Sequence, residues 1–256
     1  MAASRRITFL TDYGLADGFV AACHGVLATI APAVPVVDVS HLVPPGDVRR
    51  GALVLAQTLP WFPAGSVHIA VVDPGVGTAR RPIVVRAGEH LLVGPDNGLL
   101  MWAARDLGGV DEVREITNGA LTLGQVSRTF HGRDVFAPVA AHLALGTPAA
   151  EVGPAVPDPI RLPEPVPGEI LTVDHFGNVQ LAHTIAEFGA AAALRIEVGD
   201  RAYAIPLRGT FGDVPSGELV GYEDSAGLLA ISVNGGDAAR LLGVRAGDRI
   251  HVSPSC

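Results

Sequence analysis

The stretch VVDPGVGTARR, residues 71–81, runs from an apolar segment into a glycine-rich turn and ends in two arginines. This order predicts a buried strand that delivers Asp73 to the rim of a loop, where an arginine can fold back onto its carboxylate. Loops after the carboxyl ends of strands bind ligands in open α/β sheets, so a functional site is predicted here. Asp-Pro-Gly is also ordinary turn chemistry, and a purely structural role is the alternative.

The sequence around this stretch alternates between apolar runs and helical segments. Strands are predicted over 7–10, 34–37, 67–72 and 83–85, and helices over 17–30, 47–59 and 134–145. Alternation of strands with helices is typical of a layered α/β fold. We therefore expect residues 1–153 to form an N-terminal layered α/β domain.

A proline-rich connector is predicted over residues 154–168, because six prolines between Gly153 and Gly168 cannot sustain a helix or a central strand. Short β-rich segments separated by glycine-rich turns follow in residues 169–256. They predict a smaller, mostly antiparallel, β-barrel-like C-terminal domain. Within it, the alanine-rich segment 186–194 predicts a short helix.

Composition excludes several classes of protein. The formal net charge is −8 and no basic run exceeds a pair of arginines, so no nucleic-acid partner is expected. No apolar stretch reaches the length of a membrane span, and two cysteines without a metal or disulfide pattern favour the cytoplasm. All 18 basic residues are arginines, which excludes Schiff-base and P-loop lysine chemistry.

Two further polar positions fit the same predicted edge of the sheet. Asp12 comes directly after the first predicted strand, where an aspartate either caps a local turn or accepts the hydroxyls of a ribose. His131 lies in the segment TFHGRD, residues 129–134, and can bring an imidazole to the cleft of Asp73. An acid, an arginine and an imidazole together form a set that activates water.

The C-terminal part carries a second polar segment, DHFGN, residues 174–178. It fits a hairpin turn, or a site in which Asp174 pairs with an ammonium group and Asn178 bonds an adenine edge or a hydroxyl. Phe211 fits core packing or a stacking surface.

A metal site is not predicted from the nine histidines. The four that flank polar turns are His24, His41, His131 and His175. None of them shows the paired spacing on one helix or hairpin that zinc and iron sites often use, so we expect neither a catalytic metal nor a cofactor.

Five motifs in one order resemble those of the S-adenosylmethionine (SAM) hydroxide adenosyltransferases, or SAM hydrolases, which are relatives of fluorinase and chlorinase. They are TDYG at 11–14, VDPGVGTARR at 72–81, PDNGLL at 95–100, TFHGRDVFAP at 129–138 and DHFGN at 174–178. The resemblance runs from about residue 7 to about residue 252. It implies an N-terminal α/β domain, a smaller β-barrel-like domain, and a homotrimer that binds SAM between neighbouring subunits.

The resemblance also implies roles for individual residues. It implies that Asp73, Arg80 and His131 activate water, and that Asp12 binds the ribose. The remaining implied substrate contacts are Asn97, Asp174, Phe176, Asn178, Phe211 and Ser225. Asp174 and Asn178 match positions that contact the methionine amino group and the adenosine, Phe211 one near the adenine, and Ser225 one near the methionine carboxylate.

The implied reaction is attack of water on C5′ of SAM, which releases adenosine and methionine. Methionine leaves as a neutral thioether, so the protein has to align and activate one water without a metal. Three alternatives remain at this point: halide-dependent cleavage of SAM, a non-catalytic module that binds SAM or adenosine, and a metal-dependent phosphohydrolase. Aspartate and histidine at positions 73 and 131, where the halogenating relatives carry tyrosines, favour water over halide.

Overall fold

The computed structural model describes residues 5–255, which divide into two compact units with a boundary between Leu162 and Pro163. The N-terminal unit contains six strands and four α-helices among its described residues. In chain order these are β1 (Ile7–Thr11), α1 (Phe19–Ile30), β2 (Val36–Ser40), α2 (Val48–Thr58), β3 (Val67–Val71), β4 (Pro82–Ala87), β5 (His90–Pro95), α3 (Met101–Asp106), β6 (Glu112–Glu115) and α4 (Ala137–Leu145). The predicted α/β fold of this unit is confirmed.

The six strands form one sheet in the order β2-β1-β3-β5-β4-β6. Strands β2, β1, β3 and β5 are parallel, whereas β4 pairs antiparallel with both β5 and β6. Strand β2, which follows β1, lies on one side of the β1–β3 pair, and strands β4 and β5, which follow β3, lie on the other side. The adjacent carboxyl ends of β1 and β3 thus lie where the strand order reverses, which is where open α/β sheets bind ligands.

Both faces of this sheet are covered by helices. Ile7, Phe9 and Ile69 belong to one buried cluster with the inner residues of α1 and α4. Side chains alternate along a strand, so Leu10 points to the other face, where it lies close to Gly51 of α2. All residues of β1 and β3 are buried, which explains their nearly uninterrupted apolar sequences.

The C-terminal unit contains seven strands and one short α-helix among its described residues. They are β7 (Ile170–Val173), β8 (Val179–Leu181), β9 (Ala193–Val198), β10 (Arg201–Pro206), β11 (Leu219–Glu223), β12 (Leu229–Val233), α5 (Ala238–Leu242) and β13 (His251–Pro254). The strands form two antiparallel sheets in the orders β10-β9-β13 and β11-β12-β8-β7. The prediction of a mostly antiparallel unit is confirmed, whereas no closed barrel forms among these residues and the barrel-like arrangement is not confirmed.

The helix predicted over 186–194 is wrong. Only Ile185–Phe188 are helical, as a 3-10 turn with a capping box between Thr184 and Glu187, and the turn ends at Gly189, which has a φ of +58°. The segment then enters β9, where Leu194 and Ile196 are fully buried between two neighbouring strands. The alternating burial of these side chains overrides the helix propensity of the alanines.

Within residues 5–255, no helix combines the length and the apolar character needed to cross a bilayer.

Candidate active site

Asp73 and Arg80 form a closely coupled ion pair beyond the carboxyl end of β3. Arg80 Nε donates to Asp73 Oδ1 at 3.1 Å and to Oδ2 at 3.0 Å, and Arg80 Nη2 also donates to Oδ2. The exposed fractions of the two side chains are only 5% for Asp73 and 9% for Arg80. The chain turns back between them through Gly77, whose φ of +77° suits glycine and whose position beside the Arg128 carbonyl leaves no room for a Cβ.

His131 joins this pair from another part of the chain. Its Nδ1 lies 2.9 Å from Arg80 Nη2, and the residue immediately precedes a π-helical turn, Gly132–Phe136, that leads into α4. The turn is anchored by buried Asp134, which accepts from Ser127 N at 2.8 Å and from Arg133 Nε at 2.6 Å. Short π-helical segments are frequent at functional sites, and this one presents the imidazole to the ion pair.

The partners of His131 define its protonation. Guanidinium groups only donate hydrogen bonds, so Nδ1 accepts from Arg80 and a neutral imidazole carries its hydrogen on Nε2. Burial and the nearby charge of Arg80 lower the pKa of His131 below its ordinary value, although Asp73, Asp134 and a backbone hydrogen bond with Ser127 oppose this shift. His131 is therefore neutral at pH 7 and can donate one hydrogen bond from Nε2.

A small cavity of about 50 Å³ lies at this cluster. It is lined by Asp12, Tyr13, Val71, Asp73, Val76, Thr129, His131 and Gly132. Asp12 reaches it because β1 and β3 are paired neighbours, with Thr11 opposite Val71. Sites for small organic molecules usually have volumes of about 300–1,000 Å³, so the cavity suits a molecule as small as water better than a large ligand.

Tyr13 lines the cavity without having been predicted to do so, although it belongs to the motif TDYG at 11–14. Chiefly burial, with the charges of Cys23, Asp12 and Asp73, raises the pKa of its phenol, while Arg80 opposes the shift. Tyr13 therefore stays a neutral hydrogen-bond donor. Gly132 packs so tightly against it that a Cβ there would overlap the Tyr13 hydroxyl.

Two residues predicted to bind substrate make backbone contacts around this cluster. Asp12 Oδ2 accepts from Gly46 N at 2.8 Å. Asn97 Nδ2 donates to the carbonyl of Val72 at 2.8 Å, next to Asp73, and its Oδ1 accepts from Leu99 N at 3.2 Å. Asn97 thus holds the backbone beside Asp73, and its contact with substrate stays a prediction.

The C-terminal unit has its own, larger cavity of about 640 Å³, a volume typical of small-molecule sites. It brings together four of the predicted residues, Asp174, Phe176, Asn178 and Phe211. The other residues that line it are Val233, Gly235, Gly236 and Asp237. Phe176 and Phe211 are 74% and 50% exposed, so both rings present apolar surface.

Asp174 and Asn178 organise this cavity as well as line it. Asp174 Oδ1 accepts from the backbone N–H groups of Phe176 and Asn178 at 2.9 Å each, and Oδ2 accepts from Asn178 Nδ2 at 2.8 Å. Asn178 Oδ1 in turn accepts from Ser232 Oγ at 2.6 Å. The hairpin and site interpretations of this segment are therefore compatible, because the turn holds the polar groups at the cavity wall.

Ser225 is not among the residues that line this cavity. It lies in the turn between β11 and β12, which Asp224 closes by accepting from Ala226 N and Leu228 N. Asp237, in contrast, lines the cavity without having been predicted. It caps α5 by accepting from Arg240 N at 2.8 Å, and no sequence motif links it to the distant DHFGN segment.

Among residues 5–255, one group of side chains could hold a metal ion, and it lines neither cavity. His24, Asp38 and His41 each offer a ligand atom, and these atoms lie within 4.8 Å of one another. Both histidines flank polar turns in the sequence, but no motif connects them to Asp38.

Comparisons with known proteins agree with the residue pattern. A family model described as SAM hydroxide adenosyltransferase N-terminal domain matches residues 7–153, and its C-terminal counterpart matches residues 168–251. The chain is 59% identical to an (R)-S-adenosyl-L-methionine hydrolase of Salinispora arenicola, with 99% of each chain covered. It is 31% identical to a fluorinase of an Actinoplanes species, with 96% of this chain and 97% of the fluorinase covered.

The fold is also that of a solved structure. The crystal structure of an uncharacterized conserved protein from Thermotoga maritima matches with a TM-score of 0.92 and 40% sequence identity, and covers 96% of this chain and 99% of that one.

Proposed function

Since the chain belongs to the SAM hydroxide adenosyltransferase family, we propose that it hydrolyses SAM to adenosine and methionine by attack of water on C5′. The observation that supports this most directly is the buried Asp73–Arg80–His131 cluster beside a cavity of about 50 Å³. A cavity of this size aligns one nucleophile, and alignment can supply a large part of the rate enhancement of such a displacement.

The reaction requires little beyond alignment. The C–O bond forms at C5′ as the C5′–S bond breaks, the electron pair of that bond goes to sulfur, and methionine leaves as a neutral thioether. One proton of the water has to be removed. Because no charge develops on the leaving group, we propose that neither a general acid nor a metal takes part.

We assign the removal of that proton to Asp73. In neutral His131, Nδ1 already accepts from Arg80, so the ring has no free lone pair with which to take a proton and can only donate from Nε2. His131 then holds the water oxygen, while the carboxylate of Asp73 accepts a hydrogen of the same water. Arg80 fixes both partners, because its guanidinium group donates hydrogen bonds to the carboxylate of Asp73 and to Nδ1 of His131.

Substrate binding is assigned to the other predicted residues. We propose that Asp12 binds the ribose, that Asp174 and Asn178 bind the methionine amino group and the adenosine, and that Phe176 and Phe211 cover the adenine. The open aromatic surface of the C-terminal cavity supports this assignment, because adenine stacks on exposed rings. Contacts of Asn97 with the substrate and of Ser225 with the methionine carboxylate complete the proposal.

Halide-dependent cleavage is the second candidate, and similarity to a fluorinase supports it. The N-terminal cavity argues against it, because the carboxylate of Asp73 would repel a halide ion placed beside it. A non-catalytic SAM-binding module would leave SAM intact. Incubation with SAM in the presence of chloride or fluoride, followed by liquid chromatography and mass spectrometry, separates the three outcomes: adenosine, a 5′-halogenated adenosine, or unchanged SAM.

A homotrimer in the cytoplasm, with SAM bound between neighbouring subunits, is the setting we propose for this activity. It follows from the family resemblance and from the cysteine content of the sequence. Light scattering of the purified protein measures its mass directly, and a mass of one or two subunits would refute the trimer.

A further inference from the structure

We propose that His24, Asp38 and His41 form a binding site for a zinc-like divalent transition-metal ion, separate from the hydrolytic cluster. Two imidazoles and one carboxylate are a donor set that such ions favour. His24 lies on α1, Asp38 on β2, and His41 just after β2, so the site joins a helix to the edge strand of the sheet.

The ligand atoms already converge. His24 Nε2 lies 2.8 Å and His41 Nε2 3.1 Å from the same oxygen, Asp38 Oδ1. All three atoms lie within 4.8 Å of one another. Ligand bonds to zinc are about 2.0–2.2 Å long for nitrogen and oxygen, so small side-chain rotations suffice to surround one ion.

His41 supplies the observation that points to a ligand rather than to a simple hydrogen-bonded cluster. The residue is 4% exposed, and its Nε2 is buried without a hydrogen-bond partner among the described residues. Its contact with Asp38, although only 3.1 Å long, does not have the geometry of a hydrogen bond. A buried polar atom left without such a bond is rare and calls for a cause, and a metal ion between the two groups provides one.

The other nitrogen of His41 has the surroundings of a metal ligand. His41 Nδ1 lies 2.9 Å from Thr11 Oγ1, which also accepts from Tyr13 N at 3.1 Å. If Nδ1 donates to Thr11, Nε2 carries a lone pair directed at the carboxylate, an arrangement that a bound cation stabilises. Metal-bound histidines usually donate their second N–H to an oxygen in this way, which fixes the ring and its tautomer.

Packing holds both rings in place before an ion binds. Phe9 meets His41 edge-on with ring centroids 4.9 Å apart, and it meets His24 at 6.0 Å. The side chains of His24 and Asp38 are 34% and 44% exposed, so the site opens to solvent on one side. Water can therefore complete the coordination of the ion, and the ion can enter without unfolding of the protein.

The site is linked to the loop that carries Asp12. Gly14 N donates to the carbonyl of His41 at 2.8 Å, and Thr11 directly precedes Asp12. A bound ion would therefore stabilise α1, the end of β2 and this loop together. It would act on folding and loop order, whereas the attack on C5′ proceeds through other residues.

Titration of the full-length protein, purified without a polyhistidine tag, tests this site. Isothermal titration calorimetry with Zn²⁺ is expected to show one site per chain, and Co²⁺ to give visible absorption bands. His24→Gln and Asp38→Asn each remove one ligand from a partly exposed position and should weaken Zn²⁺ binding by at least about tenfold. Zn²⁺ should also raise the melting temperature of the unchanged protein and not that of the two variants.

The matched control is His251→Gln, because His251 is an exposed histidine of the C-terminal unit. This variant should bind one Zn²⁺ with unchanged affinity. Absence of a stoichiometric Zn²⁺ site in the unchanged protein would overturn the proposal, and so would full binding by both His24→Gln and Asp38→Asn. Adenosine formation should persist when a chelator removes the ion, because the proposed site is separate from the hydrolytic cluster. Loss of activity with the chelator would contradict that separation.

Discussion

The N-terminal cluster and the C-terminal cavity differ in volume, in charge and in the exposure of their side chains. Around Asp73, charged side chains are almost fully buried and bonded to one another beside a space of about 50 Å³. Around Phe176 and Phe211, large apolar rings are exposed at the wall of a cavity of about 640 Å³. Chemistry on one water requires fixed groups, whereas binding of a nucleoside requires accessible surface, and these requirements match the roles that we propose for the two regions.

Because of this difference, we expect substitutions in the N-terminal cluster to affect the reaction and substitutions in the C-terminal cavity to affect binding. Groups in the N-terminal cluster contact each other, so we expect a change in one to displace the others and to lower the rate of the proposed chemical step. The aromatic rings of the C-terminal cavity bind through area, so their loss should weaken affinity and leave the chemical step intact.

The largest effect is expected for Asp73→Asn. The substitution keeps the shape of the side chain but removes the charge that pairs with Arg80 and accepts the proton, so kcat should fall about 10³-fold. Steady-state kinetics of adenosine formation measure kcat, and calorimetry with SAM should show a Kd within about threefold of the unchanged protein. Asp158→Asn, which alters an 81% exposed carboxylate, is the control and should leave kcat unchanged. An unchanged kcat in Asp73→Asn would contradict the assignment of the chemical step to the N-terminal cluster.

The second effect concerns the turn that returns Arg80 to Asp73. In Gly77→Ala, the new Cβ would lie 2.5 Å from the Arg128 carbonyl at a φ of +77°. We expect kcat to fall about 10²-fold, because small displacements of catalytic groups carry large kinetic costs.

Gly65→Ala is the matched control for the turn. Gly65 has a φ of +83°, but no heavy atom lies within 4 Å of the position that a Cβ would take there, so this variant has the same backbone strain without the overlap. It should lose stability, measured by thermal unfolding, and keep its kcat. Equal losses of kcat in both variants would show that strain rather than the placement of Arg80 matters.

A third, smaller effect is expected for the exposed aromatic rings of the C-terminal cavity. Phe176→Ala and Phe211→Ala each remove an exposed ring from the C-terminal cavity. Each should raise KM by about fivefold to tenfold, the value of one aromatic contact, with kcat within about twofold. Trp61→Ala removes another exposed ring, in the N-terminal unit, and should change neither constant. A loss confined to kcat would contradict the assignment of these rings to binding.

The smallest effect concerns pH. Burial and Arg80 lower the pKa of His131, so its neutral form persists as the pH falls through 6.5. Between pH 7.5 and 6.0, kcat/KM should therefore change by less than the roughly fourfold that a histidine of ordinary pKa would cost. Activity should be lost only at lower pH, where a second N–H on His131 opposes Arg80. A kcat/KM profile with its midpoint at pH 6.5 would show that burial and Arg80 do not lower the pKa of His131.

Much of the N-terminal site could be predicted from the sequence, because local order carries the information. An apolar run followed by Asp73 places the carboxylate at a strand end, and Arg80 is close enough along the chain to fold back. His131 was less accessible to such reasoning, since its contact with Arg80 spans 51 residues. Its selection rested on polar clustering and on the family resemblance.

What could not be predicted depends on tertiary contacts. Asp237, which caps α5, lines the C-terminal cavity, and Tyr13 lines the N-terminal cavity because β1 pairs with β3. In place of the helix expected over 186–194, a short 3-10 turn is followed by β9, because burial of the strand between two neighbours outweighs the helix propensity of the alanines. Spacing along the chain likewise did not indicate that His24, Asp38 and His41 lie together, because His24 comes from α1 whereas the other two lie on and just after β2.

The central claim is that water attacks C5′ directly while Asp73 accepts a proton. A single-turnover reaction in ¹⁸O-labelled water, with enzyme in excess over SAM, tests it, because the first product molecule reports the source of its oxygen. We expect ¹⁸O in the 5′ hydroxyl of adenosine and none in the peptide that contains Asp73. Unlabelled adenosine with ¹⁸O in the Asp73 carboxylate would contradict the account, since it would show that the aspartate itself attacks the substrate.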